Sequence, residues 1–243
     1  MHKLGVEFLV VWDILHYMQK YIDAHCHYIT TVPDGAIAGF VYNSARPCDW
    51  SGAVDATRVG GGAGAIGIHP WYVDELSHDW AGQMAQLLRA NTKLMVGEIG
   101  LDASRGDIDA QMPVFIRQLD LAREFDRIAH IHCVRAWDKI LHIFATHKMP
   151  PAVVLHGFRG TPEIVSAIMR HANAYFSFGA NPWATVRAIE PDRILVESDA
   201  ASISIARGIL PRTVTQIADL VGCAVQTMAE TIYNNTQRMI KNG

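Results

Sequence analysis

Short apolar runs alternate with longer stretches of helical period along almost the whole chain, the rhythm of repeated βα units around a parallel sheet. Eight such runs stand out, at 20–25, 37–42, 65–69, 94–99, 128–132, 152–156, 174–178 and 194–197. Apolar residues at helical spacing predict helices over 73–91, 109–125, 136–147, 162–172 and from 211 onward. Pro113 falls near the start of the second of these, where a missing N–H costs nothing. Eight units within 243 residues fit a (β/α)8 TIM barrel, which takes about 250 residues as one domain. Several runs are apolar throughout, as strands buried on both faces are. The competing architecture is an open, doubly wound sheet. No G-x-G-x-x-G follows the first run, and the Gly60-Gly61-Gly62-Ala63-Gly64 cluster precedes a strand instead of opening a helix, which argues against its nucleotide-binding form. No repeat, low-complexity tract or linker divides the chain. Residues 21–243 therefore read as one barrel domain, preceded by an extension over 1–20.

Lys and Arg number 21 against 24 Asp and Glu, a net charge of −3 with a pI near 6.4. No global positive field draws the chain onto polyphosphate, so any grip on nucleic acid has to be local. Cys26, Cys48, Cys133 and Cys223 form no C-x-x-C pair, neither a disulfide framework nor a zinc finger. No apolar run reaches the 18 or so residues of a membrane span, and no small-residue cleavage site follows Trp12. The expectation is a cytoplasmic protein with no membrane partner.

Twelve histidines are the unusual entry in the composition, because imidazole is the commonest metal-binding side chain. In a barrel enzyme catalytic groups come from the C-terminal ends of several strands, so the polar residues at the ends of the predicted strands matter most. These are Asp23, His25 and His27 after the first run, His69 after the third, Glu98 and Asp102 after the fourth, His130 and His132 after the fifth, His156 after the sixth, and Glu197 and Asp199 after the eighth. Residues two apart share a strand face, so His25 and His27 can aim into one mouth. A lone histidine at a strand end is most often an ordinary satisfied polar group; two on one face of an apolar strand demand two buried partners. Imidazoles and carboxylates together form a ligand set for zinc, manganese or magnesium. Four histidines and two carboxylates from five strands suffice for two ions with one carboxylate between them. Strand register leaves His130 free to face either the mouth or the helices.

In this order the strand ends resemble the TatD family of metal-dependent deoxyribonucleases, a branch of the amidohydrolase-like barrels. The resemblance runs from Tyr21 to the C-terminus. It rests on Asp23-Ala24-His25-Cys26-His27, Gly67-Ile68-His69-Pro70-Trp71, Gly97-Glu98-Ile99-Gly100-Leu101-Asp102, Gln111 and Gln118 with their apolar neighbours, Ile131-His132-Cys133, Leu155-His156-Gly157-Phe158 and Glu197-Ser198-Asp199. The Gly-Glu-Ile-Gly-Leu-Asp stretch is the most specific of them. The resemblance implies a two-ion site of Mg, Mn or Zn: His25, His27 and Asp199 on one ion, His132 and His156 on the other, and Glu98 on both. It implies hydrolysis of DNA phosphodiester bonds, with His69 as a pocket histidine near the ions. Asp199 is then the group that orients a water and accepts its proton, with Glu98 beside it in the catalytic centre. Glu197, two residues earlier, is read as supporting a ligand. Departures from the family pattern bear on the substrate, among them Ala201 in place of the usual proline and only 41 residues between His27 and His69, which implies a smaller rim. Val134 stands where the family has an arginine, with Arg135 one position later, and Arg207-Gly208 keeps only part of an arginine-glycine-asparagine-proline stretch. Arg135, Arg159 and Arg207 are the residues expected to form a local basic rim for DNA or a nucleotide-like phosphodiester.

The alternatives are a barrel of the same type that hydrolyses a small ester, lactone or amide, and a non-catalytic metal-binding barrel. Many small-substrate relatives bridge their ions with a modified lysine at the fourth strand, where this chain has Glu98, which favours the nuclease branch. Residues 1–17 have no place in the barrel plan and read as an appended helix or a misassigned start. N-terminal sequencing of native protein is expected to begin near Met18 if the start is misassigned; finding Met1 or His2 rejects that reading.

Overall fold

A computed structural model describes residues 19–30 and 36–241. The 1–17 segment, and with it the choice between an appended helix and a misassigned start, lies outside the described residues. Eight strands follow one another in a single sheet: β1 (Tyr21–Cys26), β2 (Ile37–Asn43), β3 (Gly62–Ile66), β4 (Leu94–Asp102), β5 (Ala129–Val134), β6 (Val153–Leu155), β7 (Ala174–Phe178) and β8 (Ile194–Val196). Spatial order equals chain order, and every bonded pair is parallel. The ring closes at its C-terminal mouth. There the His27 amide donates to the Ala200 carbonyl (2.9 Å) and the Asp199 amide to the His25 carbonyl (3.0 Å). The helices of the described residues are α1 (Trp50–Ala56), α2 (Trp80–Ala90), α3 (Ile108–Glu124), α4 (Trp137–Thr146), α5 (Pro162–Met169), α6 (Ile203–Val221) and α7 (Val225–Lys241). This is the (β/α)8 barrel that the alternation predicts, with β7 and β8 joined by two short 3-10 turns.

Alternation along the strands sorts the core into two layers. Met95 of β4, Val154 of β6, Tyr175 of β7 and Leu195 of β8 join Val41, Ala63 and Ala65 in a compact cluster inside the ring, with Met239 of α7 packed among them. Their strand neighbours Leu94, Val96, Val153, Leu155, Phe176, Ile194 and Val196 belong to the larger cluster against the helices. A filled interior makes the barrel a solid support and leaves the mouth as the place for a site.

Several expected boundaries move, each for a local reason. The third strand covers Gly62–Ile66 instead of 65–69, because its glycines let it lie against α1; a Cβ on Gly64 would run into the Ala53 carbonyl. The expected helix over 73–91 divides into a 3-10 segment at Pro70–Glu75 and then α2, since Leu76 between them is extended. Pro113 is the sixth residue of α3 and not its first, so its missing N–H does cost one helical bond, on the exposed turn at Asp109. The last helix begins at Ile203, contains Pro211, and is split from α7 by Gly222, whose left-handed φ of 82° caps α6.

The seam between β1 and β8 is tied by Asp23. Its fully buried carboxylate accepts from the Ser198 amide (2.8 Å), the Ser198 hydroxyl and the Tyr28 hydroxyl (3.1 Å). Burial lifts its pKa to about 7 in spite of those bonds. Asp23→Ala strands buried donors, so we expect it to destabilise the fold by about 2–4 kcal/mol, read from the denaturant midpoint at constant m-value. A change under about 0.5 kcal/mol, typical of an inconsequential surface substitution, would contradict this role for Asp23.

Candidate metal centre

Glu98 lies in the middle of the mouth, only 3 % exposed, at a place two glycines make available. A Cβ on Gly97 would sit 2.6 Å from the His130 Cβ, and Gly100, at φ 145°, would drive one into the His132 carbonyl. With glycine at both positions β4 presses against β5, and Glu98 is carried to the barrel axis. Pairing of β1 with β2 slips between Asp23 and Cys26, an irregularity of the kind that re-aims side chains beside active sites.

The two oxygens of Glu98 face different sets of imidazoles. Oε2 lies 3.5 Å from His25 Nε2 and 3.6 Å from His27 Nε2, and these two nitrogens lie 3.8 and 3.2 Å from Asp199 Oδ1. Oε1 lies 2.7 Å from His156 Nε2 and 3.0 Å from His132 Nδ1, which are 3.1 Å from each other. All six ligand candidates named from the sequence thus converge. Three overlapping sets have ligand atoms within 4.8 Å of one another: His25, His27 and Glu98; His25, His156 and Asp199; and His69, Glu98 and His132.

Bonds on the far side of each ring fix which nitrogen faces inward. His27 Nδ1 lies 2.8 Å from the Asn43 carbonyl, an acceptor only, so in the neutral ring Nδ1 carries the proton and Nε2 keeps a lone pair for the centre. His156 Nδ1 is 3.3 Å from Glu197 Oε1, which also accepts from the Gly157 amide (2.6 Å). His132 Nε2 is 3.3 Å from Asp102 Oδ2. His25 is fully buried, stacks on His156 with ring centroids 4.0 Å apart, and has no hydrogen-bond partner at either nitrogen. An unpaired, buried imidazole nitrogen 3.5 Å from a carboxylate is what a cation-binding site needs, and the nitrogen and oxygen donors suit a divalent ion.

His69 differs. Its Nδ1 accepts from the Trp71 amide (3.2 Å), so the neutral ring carries its proton on Nε2 and presents a donor to Glu98 Oε1 at 3.5 Å. Burial lowers its pKa to about 4, which keeps it neutral. Burial likewise keeps His25 below the usual histidine range. Burial opposes ionisation of Glu98, yet the imidazoles of His156 and His25 hold it well below the carboxylate range, and Glu98 with Glu197 raises His156 against its own burial. Asp199 is held at about 2, burial being outweighed by His27 and His25, and its side chain is 54 % exposed at a left-handed φ of 51°.

Arg135 stands exposed just after β5 with φ 53°, and Arg207 is exposed in the first turns of α6. His130 is fully buried, its ring 6.3 Å from that of His25. Residues without a role in the sequence reading prove to be supports. Asp102 bonds His132 and the Trp71 indole N–H (2.7 Å); its spacing of four from Glu98 was the available signal, since both fall on one strand face. Gln118 and Gln111, both buried on α3, clamp the backbone on either side of the centre: Gln118 takes the Ile68 amide (2.7 Å) and gives to its carbonyl (3.2 Å), and Gln111 does the same at Asp102 (2.8 and 3.1 Å).

The family described as TatD related DNase matches residues 22–241. A 3'-5' ssDNA/RNA exonuclease TatD from Erwinia billingiae is 31 % identical over 161 residues, 60 % of each chain. The human 3'-5' RNA nuclease TATDN2 is 27 % identical over 247 residues, covering 87 % of this chain and 32 % of its own. The uncharacterized metal-dependent hydrolase YjjV of Escherichia coli is 28 % identical over 58 % of this chain and 61 % of its own. The matched stretches therefore span less than two thirds of these relatives. Among solved structures, the crystal structure of YjjV superposes with a TM-score of 0.78 at 20 % identity, over 91 % of this chain and 98 % of that one. A TatD family hydrolase from Entamoeba histolytica gives 0.72 at 14 %, over 91 % and 98 %. With the family matched from the first strand to the last helix, the chain belongs to the TatD-related DNase family.

Proposed function

We propose that the protein is a divalent-metal-dependent hydrolase that cleaves phosphodiester bonds of DNA, taken as single strands, at a two-ion centre. The observation that carries this reading is the division of Glu98, with one oxygen facing His25 and His27 and the other facing His132 and His156. His25, His27, Asp199 and Glu98 Oε2 would hold one ion of Mg, Mn or Zn, and His132, His156 and Glu98 Oε1 the other. When bound, such a pair activates a water near neutral pH and neutralises charge on the attacking and leaving oxygens of an in-line displacement at phosphorus.

The chain's own residues supply the remainder. Asp199, ionised and half open to solvent, can receive the proton of the attacking water at Oδ1 or Oδ2. His69 Nε2–H is aimed at the centre and can donate to a phosphate oxygen. Glu197, Asp102 and the Asn43 carbonyl hold His156, His132 and His27 in orientation. Arg135, Arg159 and Arg207 would meet neighbouring phosphates at the rim. The names of the Erwinia and human relatives support a nucleic-acid strand as substrate. Four free cysteines suit a reducing, cytoplasmic setting, and no helix among the described residues is long and apolar enough to cross a membrane.

Purified protein with manganese or magnesium is expected to shorten a labelled single-stranded oligonucleotide. Asp199→Asn should lower the rate by about 10²–10⁴-fold, the worth of a positioned proton acceptor, at an unchanged unfolding midpoint. Hydrolysis confined to small esters or lactones would contradict the phosphodiester reading.

Metal binding should also be steeply pH-dependent. Despite burial, His27 and His156 are held above the ordinary histidine range by neighbouring carboxylates, and each must lose its extra proton to become a ligand. Protons and metal compete, so affinity falls as pH falls, by about tenfold per pH unit for each proton displaced. Zinc titrations from pH 8 to 6 should give a slope of about one to two; a flat profile would contradict the assignment.

A further inference from the structure

Exposed apolar surface is concentrated around the metal centre. Of the five large apolar side chains left exposed among the described residues, Ile29, Trp71 and Trp183 lie in the segments after β1, β3 and β7, Ile205 lies in the first turn of α6 after β8, and Met169 ends α5. The two tryptophans are 45 % and 47 % exposed. They follow β3 and β7, which stand opposite each other in a ring of eight.

Each indole is paired with an arginine. The Arg105 guanidinium lies 4.3 Å from the centre of the Trp71 ring, and Arg159 lies 5.8 Å from that of Trp183. Trp71 is held still by its bond to Asp102, the same carboxylate that orients His132. Trp183 walls a cavity of about 240 Å³ whose other walls include Asn181, Phe178, Glu197 and Asp199. That cavity runs straight onto the exposed carboxylate of the metal centre. Glu197 within it is 1 % exposed and keeps one oxygen, Oε2, without a hydrogen-bond partner. A ligand seated there that carries an N–H or O–H group would satisfy it.

A flat aromatic face beside an arginine, next to a site for phosphate chemistry, matches what single-stranded nucleic acid presents: a planar base and a charged backbone. Small esters and lactones offer no reason for two such surfaces on opposite sides of one centre. We propose that Trp183 and Trp71 are base-stacking platforms flanking the metal centre, Trp183 seating one nucleobase in the cavity beside Asp199, with Arg159 and Arg105 meeting the adjacent backbone. The proposal deepens the phosphodiesterase reading and rests on it for the chemistry at the centre. It makes the bases themselves, and not only the phosphates, determinants of affinity without reading their sequence.

The test compares an eight-nucleotide thymidine strand with an abasic strand of the same length, both phosphorothioate-linked to resist hydrolysis and dye-labelled at the 5′ end. Binding is followed by anisotropy with the metal-loaded full chain. At about fivefold per stacked base, the wild type should prefer the thymidine strand by at least about 25-fold. Trp183→Ala should lower that preference about fivefold, and Trp183→Phe should largely restore it. A preference unchanged in Trp183→Ala, or a wild type that binds both strands equally, overturns the proposal. Equal loss of affinity for both strands marks Trp183 as merely structural and overturns it too. Ordinary phosphodiester strands with manganese supply the second readout. If the wild type cleaves them but shows no base preference, the platforms fall and the phosphodiesterase reading stands; if it prefers bases but cleaves nothing, the reverse holds.

Discussion

A single carboxylate, stripped of water and ringed by imidazoles, governs how this barrel mouth is built. Removing an ionised carboxylate from water costs several kcal/mol unless positive charge and hydrogen bonds compensate. Glu98 receives that compensation chiefly on Oε1, from His156 at 2.7 Å and His132 at 3.0 Å, while Oε2 faces His25 and His27 at 3.5 and 3.6 Å. In the proposed site, divalent cations would supply the same positive charge in a more concentrated form, and would displace the proton that His156 otherwise retains. Glu98 is thus held ionised and His156 protonated by each other, in a cluster whose nitrogen and oxygen donors could hold cations.

Much of the remaining structure serves to hold that carboxylate where it is. Gly97 and Gly100 allow the close approach of β4 to β5, Asp23 closes the ring two residues before His25, and two glutamines of α3 pin the backbone at Ile68 and Asp102. The supports are backbone amides, carbonyls and buried side-chain amides, rigid partners that keep the imidazoles preorganised. They come from elements far apart in the chain, so the centre depends on the completed barrel and on no single segment.

The barrel and the candidate residues at its mouth were legible in the sequence because both follow from periodicity. Apolar runs of strand length, separated by helical stretches, specify the sheet, and polar residues at run ends must meet at one mouth once the sheet closes. What the period could not reveal is contact across strands. Asp102, Asn43 and Asp23 act through bonds to residues or backbone groups 30, 16 and 175 positions away, and the glycine-rich start of β3 reads as a loop until α1 is laid against it. The choice of nitrogen on His69 depends on a backbone amide two residues on, which only the turn at Pro70 brings into reach. Arginines at the rim are visible as letters, but the exposure of Trp71 and Trp183 is a property of the folded surface.

The most direct measurement of the central claim is anomalous diffraction from crystals soaked in manganese. Two peaks about 3.5–4 Å apart, one on each side of the Glu98 carboxylate, are the predicted result. The peak near Oε2 should lie against His25, His27 and Asp199, and the peak near Oε1 against His132 and His156. A single peak bound without Glu98, or no peak within reach of its two oxygens, would contradict the account.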